Sequence, residues 1–347
     1  VEATHSVARD LLEGAEICTR MGSPFFGALL QLAAGAYECD ETVRELFDRH
    51  AARARVGLCF GGAAHFRALS GQAPRVAAHY PSTGGDGDAR QAWQAIHADI
   101  HEHTQQYDRL FARPIQTNEV ARCMPVLGAM LAVSDATRLP LRIFEIGSSA
   151  GLVLNFDRYR YSGSSWSWGD PGSPVHLHNR TASGFPAHLD APLSIVERRG
   201  CDLSPLDAAD ENDANTLLSF VWPDQHDRFQ RLRAALALVR TYPVQITRAG
   251  GLDWIRAAAL PRDDAATVIL HTVVTEHMSP HDRDLLADTL AKLGAKAREN
   301  APLAWVRMEE GQRGYETTVT LWPRGDERVI ARSDGHAQNL QWNPQAK

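Results

Sequence analysis

Apolar positions recur at helical spacing along the chain up to about Pro140. Ser23-Pro24 reads as a helix start, a cap residue followed by proline in the first turn, and FFGALLQLAAGAY continues it. Asp40 is placed to cap TVRELFDRH, and VGLCFGGAAHFRAL forms a further apolar helix. YPSTGGDGD breaks the pattern before an amphipathic helix from about Ala89 to Ala112. Thr117 then precedes NEVARCMPVLGAMLAV as its expected cap. No stretch of this half alternates like a strand, and no internal repeat is visible.

After Leu141 the period shortens. Short β-rich runs recur: LRIFEI, SIVERRGCD, PVQITRA, TVILHTVV, LAWVRMEE, YETTVTLW and ERVIARS. The first five alternate with helical stretches, among them DRFQRLRAALALVRTY and SPHDRDLLADTLAKLG, which implies parallel strands joined by crossover helices. Only PRGD separates the last two, so they read as an antiparallel hairpin at the sheet edge. The expected fold is α/β, a seven-stranded sheet preceded by an all-α N-terminal domain. The division falls at residues 1–139 and 140–347, with a Gly/Ser/Trp/Pro-rich insertion at 161–192.

Composition narrows the classes of function. A formal net charge of −6 and a pI near 6.2 argue against a broad nucleic-acid surface. No apolar run approaches the roughly 18 residues needed to cross a membrane. Nor does a basic segment followed by an apolar one mark a secretory leader. Cys18, Cys39, Cys59, Cys123 and Cys201 lie far apart without a C-x-x-C pair, which reads as reduced, mostly buried thiols in a cytoplasm. The expected partner is a small molecule; nothing in the sequence sets an oligomeric state.

The chemistry centres on FEIGSSAGLVLNFDRYRY, Phe144 to Tyr161, a strand, a tight turn and a helical run. Gly147-x-Ser149-x-Gly151 fits the nucleophile elbow of a serine hydrolase. Glu145-x-Gly147-x-x-x-Gly151 fits a nucleotide-binding turn, whose glycines admit a cofactor and open a helix N-terminus. A hydrolase elbow follows a central strand and needs an acid and then a histidine on later strands. Here the strand before Gly147 is the first of the sheet, and no acid stands convincingly between Ser149 and His271, His277 or His281. The cofactor reading gains a second motif in RGCDLSPLDAAD, where Asp202 ends a strand and can accept hydrogen bonds from two ribose hydroxyls.

EIGSSAG and GCDLSP resemble the first two motifs of the Rossmann-like class I methyltransferases that use S-adenosylmethionine, and the strand tally is similar to their sheet. Ser149 replaces the middle glycine of that pattern. Asp202 also lies 51 residues after Gly151, against roughly 20 in nucleotide folds. YSGSSWSWGDPGSPVHLHNRTASGFP accounts for the excess and is expected to form a flap near the cofactor. A closer resemblance covers nearly the whole chain. QTNEVAR, EIGSSAGLVL, DRYRY, WGDPGSPV, GCDLSPLD and VWPDQ, from Gln116 to Gln225, resemble an uncharacterised bacterial family, domain of unknown function 2332. Val153 stands where that family's pattern has asparagine. The family brings no assigned reaction, so the activity rests on the methyltransferase-like motifs.

On that resemblance Glu145 organises the loop or meets the cofactor's amino group, Gly147, Ser149 and Gly151 line the cofactor, and Asp202 holds the ribose. Asp253, in RAGGLDWI, resembles the acid that meets the adenine amino group; it could equally cap a helix. Asp202 could likewise cap a helix after Ser204. His271, Glu276 and His277, in TVILHTVVTEHMSP, lie where a base could take a proton from the methyl acceptor, although His271 could simply pack in the sheet. Asn118, Glu119 and Arg122 share one expected helical face before the sheet, which fits cofactor or substrate contact or ordinary capping. Trp222 reads as a packing aromatic. His97 and His101 are four apart in a helix, with His103 and Asp99 nearby, and His277 and His281 repeat the spacing. No third ligand stands at a recognised spacing, so these pairs read as surface histidines and no metal is expected.

Overall fold

Prolines and short polar residues start the N-terminal helices where the pattern places them. The computed structural model describes residues 7–53, 55–178, 184 and 186–343. Its chain divides into two units, Val1–Thr117 with Ala209–Arg233, and Asn118–Ala208 with Ala234–Lys347. The first contains α1 (Val7–Arg20), α2 (Pro24–Cys39), α3 (Glu41–Asp48), α4 (Val56–Leu69), α5 (Pro74–Ala77) and α6 (Ala89–Phe111). Ser23 precedes α2, but its hydroxyl turns to Asp224, whose other oxygen accepts the Phe25 N–H at 2.9 Å. Asp40 caps α3 by accepting the Val43 N–H at 2.9 Å. Trp222 stacks on Phe26 with centroids 6.1 Å apart, so it packs, as expected.

The second unit starts with α7 (Cys123–Thr137) and β1 (Leu141–Ile146). The helix belongs with the sheet, unlike the sequence division at residue 139. Its reason is steric and apolar: nearly every face of α7 is buried, and Gly128 leaves room for Trp342 where a Cβ would overlap the indole. The stretch Val120–Thr137 is, by length and composition alone, long and apolar enough to cross a membrane, which corrects the expectation that no run is. It is 67% buried inside the structure, as a core helix would be.

Next come β2 (Arg160–Ser162), β3 (Ser167–Trp168), β4 (His176–His178) and β5 (Ile195–Asp202). The order continues with α8 (Glu211–Ser219), which belongs to the first unit, α9 (His226–Thr241), which runs across the division at residue 233, β6 (Gln245–Arg248), α10 (Gly251–Ala258), β7 (Ala266–Thr272) and α11 (Pro280–Gly294). It ends with β8 (Leu303–Gly311), β9 (Gly314–Trp322), β10 (Asp326–Ser333) and β11 (Gln341–Trp342). The fold is mixed α/β, with one eight-stranded sheet in the order β11-β10-β9-β8-β7-β1-β5-β6. The β6, β5, β1, β7 and β8 strands run parallel; β9, β10 and β11 continue as an antiparallel meander. All seven expected strands are present, the last two as the expected hairpin, but β11 rather than β10 forms the edge.

The helical run expected after Gly151 is absent. A 3₁₀ turn, Val153–Arg158, breaks at Asn155 (φ −101°, ψ 18°) and leads into β2. Side chains take the carbonyls a helix would have used. Tyr159 donates its hydroxyl to Leu152 O and Tyr161 to Phe156 O, both at 2.7 Å, and Arg198 reaches Leu154 O at 2.9 Å. The β1–β5 connection therefore carries a small sheet, β3-β2-β4, within the expected insertion. Residues 179–183 and 185 of that insertion lie outside the described residues.

Candidate functional site

From β1 the chain runs to β5 and β6 on one side and later to β7 and β8 on the other. The carboxyl ends of β1 and β7 therefore flank a topological switch point, where open α/β sheets bind ligands. The loop after β1 occupies that point. Gly147 (φ 71°), Ser149 (φ 52°) and Gly151 (φ 74°) are all left-handed, a region that disfavours most side chains. Cys201 O accepts the N–H groups of Gly147 at 2.9 Å and Ser148 at 3.1 Å. Ser149 donates to Asp202 Oδ2 at 2.9 Å and Gly151 to Ser148 O at 2.7 Å. The loop is thus laid against the end of β5, and these four amides already have protein acceptors. A Cβ on Gly147 would sit 2.7 Å from Val274 Cγ2, and one on Gly151 would overlap Val244 and lie 3.0 Å from Ile246 Cδ1. Both glycines are required by φ and by protein packing.

Asp202 works as a clasp. Its Oδ2 holds Ser149 and its Oδ1 accepts the Ser204 N–H at 2.8 Å. No helix begins at Ser204, so the helix-cap alternative does not apply. Each carboxylate oxygen keeps a further lone pair for another donor. Glu145 ends up differently. Only 2% exposed, it pairs in register with Gly200 of β5 and Leu270 of β7, and its Oε2 has no hydrogen-bond partner. Burial pushes its carboxyl up to about 8; the Ser148 hydroxyl opposes that rise and the charge of Asp202 adds to it.

The other bank of the switch point is built on Glu309 of β8. Its carboxylate accepts His271 Nδ1 at 2.6 Å, the Val274 N–H at 2.9 Å, the Thr275 N–H at 3.1 Å and the Thr275 hydroxyl at 2.7 Å. Together these hold Val273 at φ 58°, an unusual conformation for a β-branched residue. Despite burial, these donors keep the Glu309 carboxyl below the usual range. Fully buried His271 also receives the Trp305 indole N–H on Nε2 at 2.8 Å. Both ring nitrogens are therefore engaged, and His271 is no proton acceptor for a substrate. Glu276 and His277 follow the turn, 3.4 Å apart, with the histidine exposed.

Asn118 and Arg122 reach the same edge, though not from one helical face. Glu119, not Thr117, caps a 3₁₀ turn at Val120–Arg122 by accepting the Ala121 N–H at 2.9 Å. Asn118 Nδ2 donates to Ser148 O at 3.4 Å. The buried Arg122 guanidinium donates to Gly335 O at 3.0 Å and Thr272 O at 3.3 Å. Asp253 is not brought in: it lies on α10, 94% exposed, paired with Arg256 at 3.3 Å. Sequence reasoning missed Glu309, Trp305 and Val273. Only the acid at the carboxyl end of a central strand was a usable signal.

These features define an α/β protein whose mostly parallel sheet gathers a glycine loop, a buried acid and an aspartate clasp at one switch point. The chain belongs to the family described as "Uncharacterized protein conserved in bacteria (DUF2332)", whose model matches residues 8–342. No curated protein matches it.

Proposed function

We propose that the sheet unit binds S-adenosylmethionine at the β1/β7 switch point and transfers its methyl group to a small-molecule acceptor, in the cytoplasm. The observation that carries this reading is the unsatisfied Oε2 of buried Glu145. A cationic donor placed there would displace the proton that burial holds on this carboxyl and pair with the resulting carboxylate, and the α-ammonium of S-adenosylmethionine is one. Two further features support it. The parallel order β6-β5-β1-β7-β8 is consistent with a Rossmann-like sheet, although the methyltransferase pattern is not followed in the terminal meander or after Gly151. Four of the loop amides are already bonded and no α-helix N-terminus directly follows, an arrangement poor for a pyrophosphate and indifferent to a cofactor without phosphate.

Asp202 would add its free lone pairs to the ribose hydroxyls. The cofactor would supply an electrophilic methyl sulfonium, and the protein would contribute orientation. With His271 engaged, the Glu276–His277 pair is the remaining candidate base. The test is thermal and calorimetric titration with S-adenosylmethionine and S-adenosylhomocysteine. Ligand at a hundred times its dissociation constant should add roughly 2.7 kcal/mol of stability. The absence of both a shift and heat at millimolar ligand would refute the reading. Bound cofactor without turnover of any labelled methyl group would instead leave a binding module.

One observation favours a second reading. Ser149 is left-handed, as a nucleophile on a strained elbow is. A fluorophosphonate probe separates the two, because a hydrolase is labelled at Ser149 and a methyltransferase is not. Ser149→Gly should relax the turn and keep cofactor affinity, whereas it abolishes a hydrolase.

A further inference from the structure

On the helical unit, α6 carries His97 and His101 one turn apart, so both rings leave the same face. Asp40 comes to them from the start of α3, fixed by its capping role. Its Oδ1 accepts the Val43 N–H at 2.9 Å, and its Oδ2 lies 3.0 Å from His97 Nε2 and 2.9 Å from His101 Nε2. The three ligand atoms lie within 4.8 Å of one another. We propose that Asp40, His97 and His101 bind a divalent transition-metal ion of the zinc type, clipping the start of α3 to α6.

Donor chemistry, spacing and access each argue for it. Two imidazoles and one carboxylate suit zinc, cobalt or nickel better than magnesium or calcium, which prefer all-oxygen shells. Tetrahedral zinc with bonds of about 2.0–2.1 Å holds its ligand atoms about 3.3 Å apart. The observed separations need only small side-chain rotations to reach that. Each ring must carry its proton on Nδ1 when Nε2 binds metal. Among the described residues, no hydrogen bond to either Nδ1 opposes this tautomer. All three side chains are partly exposed, so solvent can deliver the ion and fill the remaining coordination position. Asp40 is also the third ligand that the sequence spacing does not reveal.

The experiment uses the full chain freed of metal by a chelator, then titrated with zinc chloride by calorimetry and with cobalt chloride by visible absorption. One equivalent should bind, with the d–d bands of a low-coordinate cobalt site and a raised melting temperature. His97→Ala and His101→Ala should each weaken binding at least tenfold. Asp40→Asn retains a capping oxygen while removing the anionic ligand, and should also weaken binding at least tenfold. Circular dichroism would verify that each variant folds. Absence of binding at millimolar metal, or wild-type affinity in the His97→Ala/His101→Ala double variant, would overturn the proposal.

Discussion

Trp305 donates its indole N–H to His271 Nε2 at 2.8 Å. An indole nitrogen can only donate, so Nε2 must be the acceptor and the ring proton sits on Nδ1, facing Glu309. We expect long-range ¹H–¹⁵N spectra to give the Nδ1–H signature for this residue; an Nε2–H signature would contradict the assignment. Trp305→Phe leaves a buried acceptor without its donor and should cost about 1–3 kcal/mol in urea unfolding.

Glu309 should stabilise the protein more than its place at the end of a strand suggests. Glu309→Ala removes the acceptor of four donors at once and should cost roughly 2–4 kcal/mol. Burial opposes ionisation, but His271, Val274 and Thr275 together lower its folded-state pKa. A depressed carboxylate pKa gives stability that is complete above the unfolded value, about 4.3. That contribution is lost as pH falls through the lower folded value. Acid titration of wild type against Glu309→Gln should diverge there, and superimposable curves would remove Glu309 from the account.

Glu145 should act with the opposite sign. Burial raises its folded pKa to about 8, so between pH ~4.5 and ~8 the folded protein holds a proton that the unfolded chain has lost. Its contribution therefore falls as pH rises across that window, by up to about 1.4 kcal/mol per unit. Glu145→Gln keeps the shape and abolishes the slope. Denaturation midpoints measured from pH 5 to 8 should converge toward low pH; parallel profiles would show that Glu145 does not titrate there. The proposed ammonium ligand should correspondingly bind with release of a proton, visible as a buffer-dependent enthalpy.

Gly151→Ala combines a left-handed backbone with overlap onto Val244. The conformational cost is about 1–2 kcal/mol, and overpacking adds about 1–3 kcal/mol. Val244→Ala should recover part of the loss when combined with it, because it vacates the space the new methyl needs. A double-mutant cycle with no coupling would mean that φ alone explains the glycine.

The strands were legible because burial wrote them plainly. All six residues of LRIFEI and all seven of ATVILHT are buried, and such short, mostly apolar runs without alternation belong to strands covered on both faces. β11, only Gln341–Trp342, leaves no such trace. FDRYRY looked helical because its large residues recur at helical spacing. What stops the helix is a pair of tyrosine hydroxyls bonding backward to carbonyls, a tertiary fact invisible to a periodicity count. The candidate site divides the same way. Its loop and the acids at strand ends could be read locally, while the bonds that decide roles, such as Glu309 on His271 and Asp40 on His97, join residues 38 and 57 positions apart.

Residues 209–233 complete the first unit from the middle of the chain. Phe26 meets Trp222, His65 bonds Ser219 O and stacks on Phe229, and the start of α2 is capped by Asp224. During synthesis the early helices therefore leave the ribosome long before the segment that closes them, with β1 through β5 emerging in between. An N-terminal fragment ending at residue 117 or 139 would carry bare apolar surface at Phe26, Gly62 and His65 and invite capture by chaperones. A rearranged chain that joins residues 209–233 directly to residues 7–117 is the form in which this unit should stand alone.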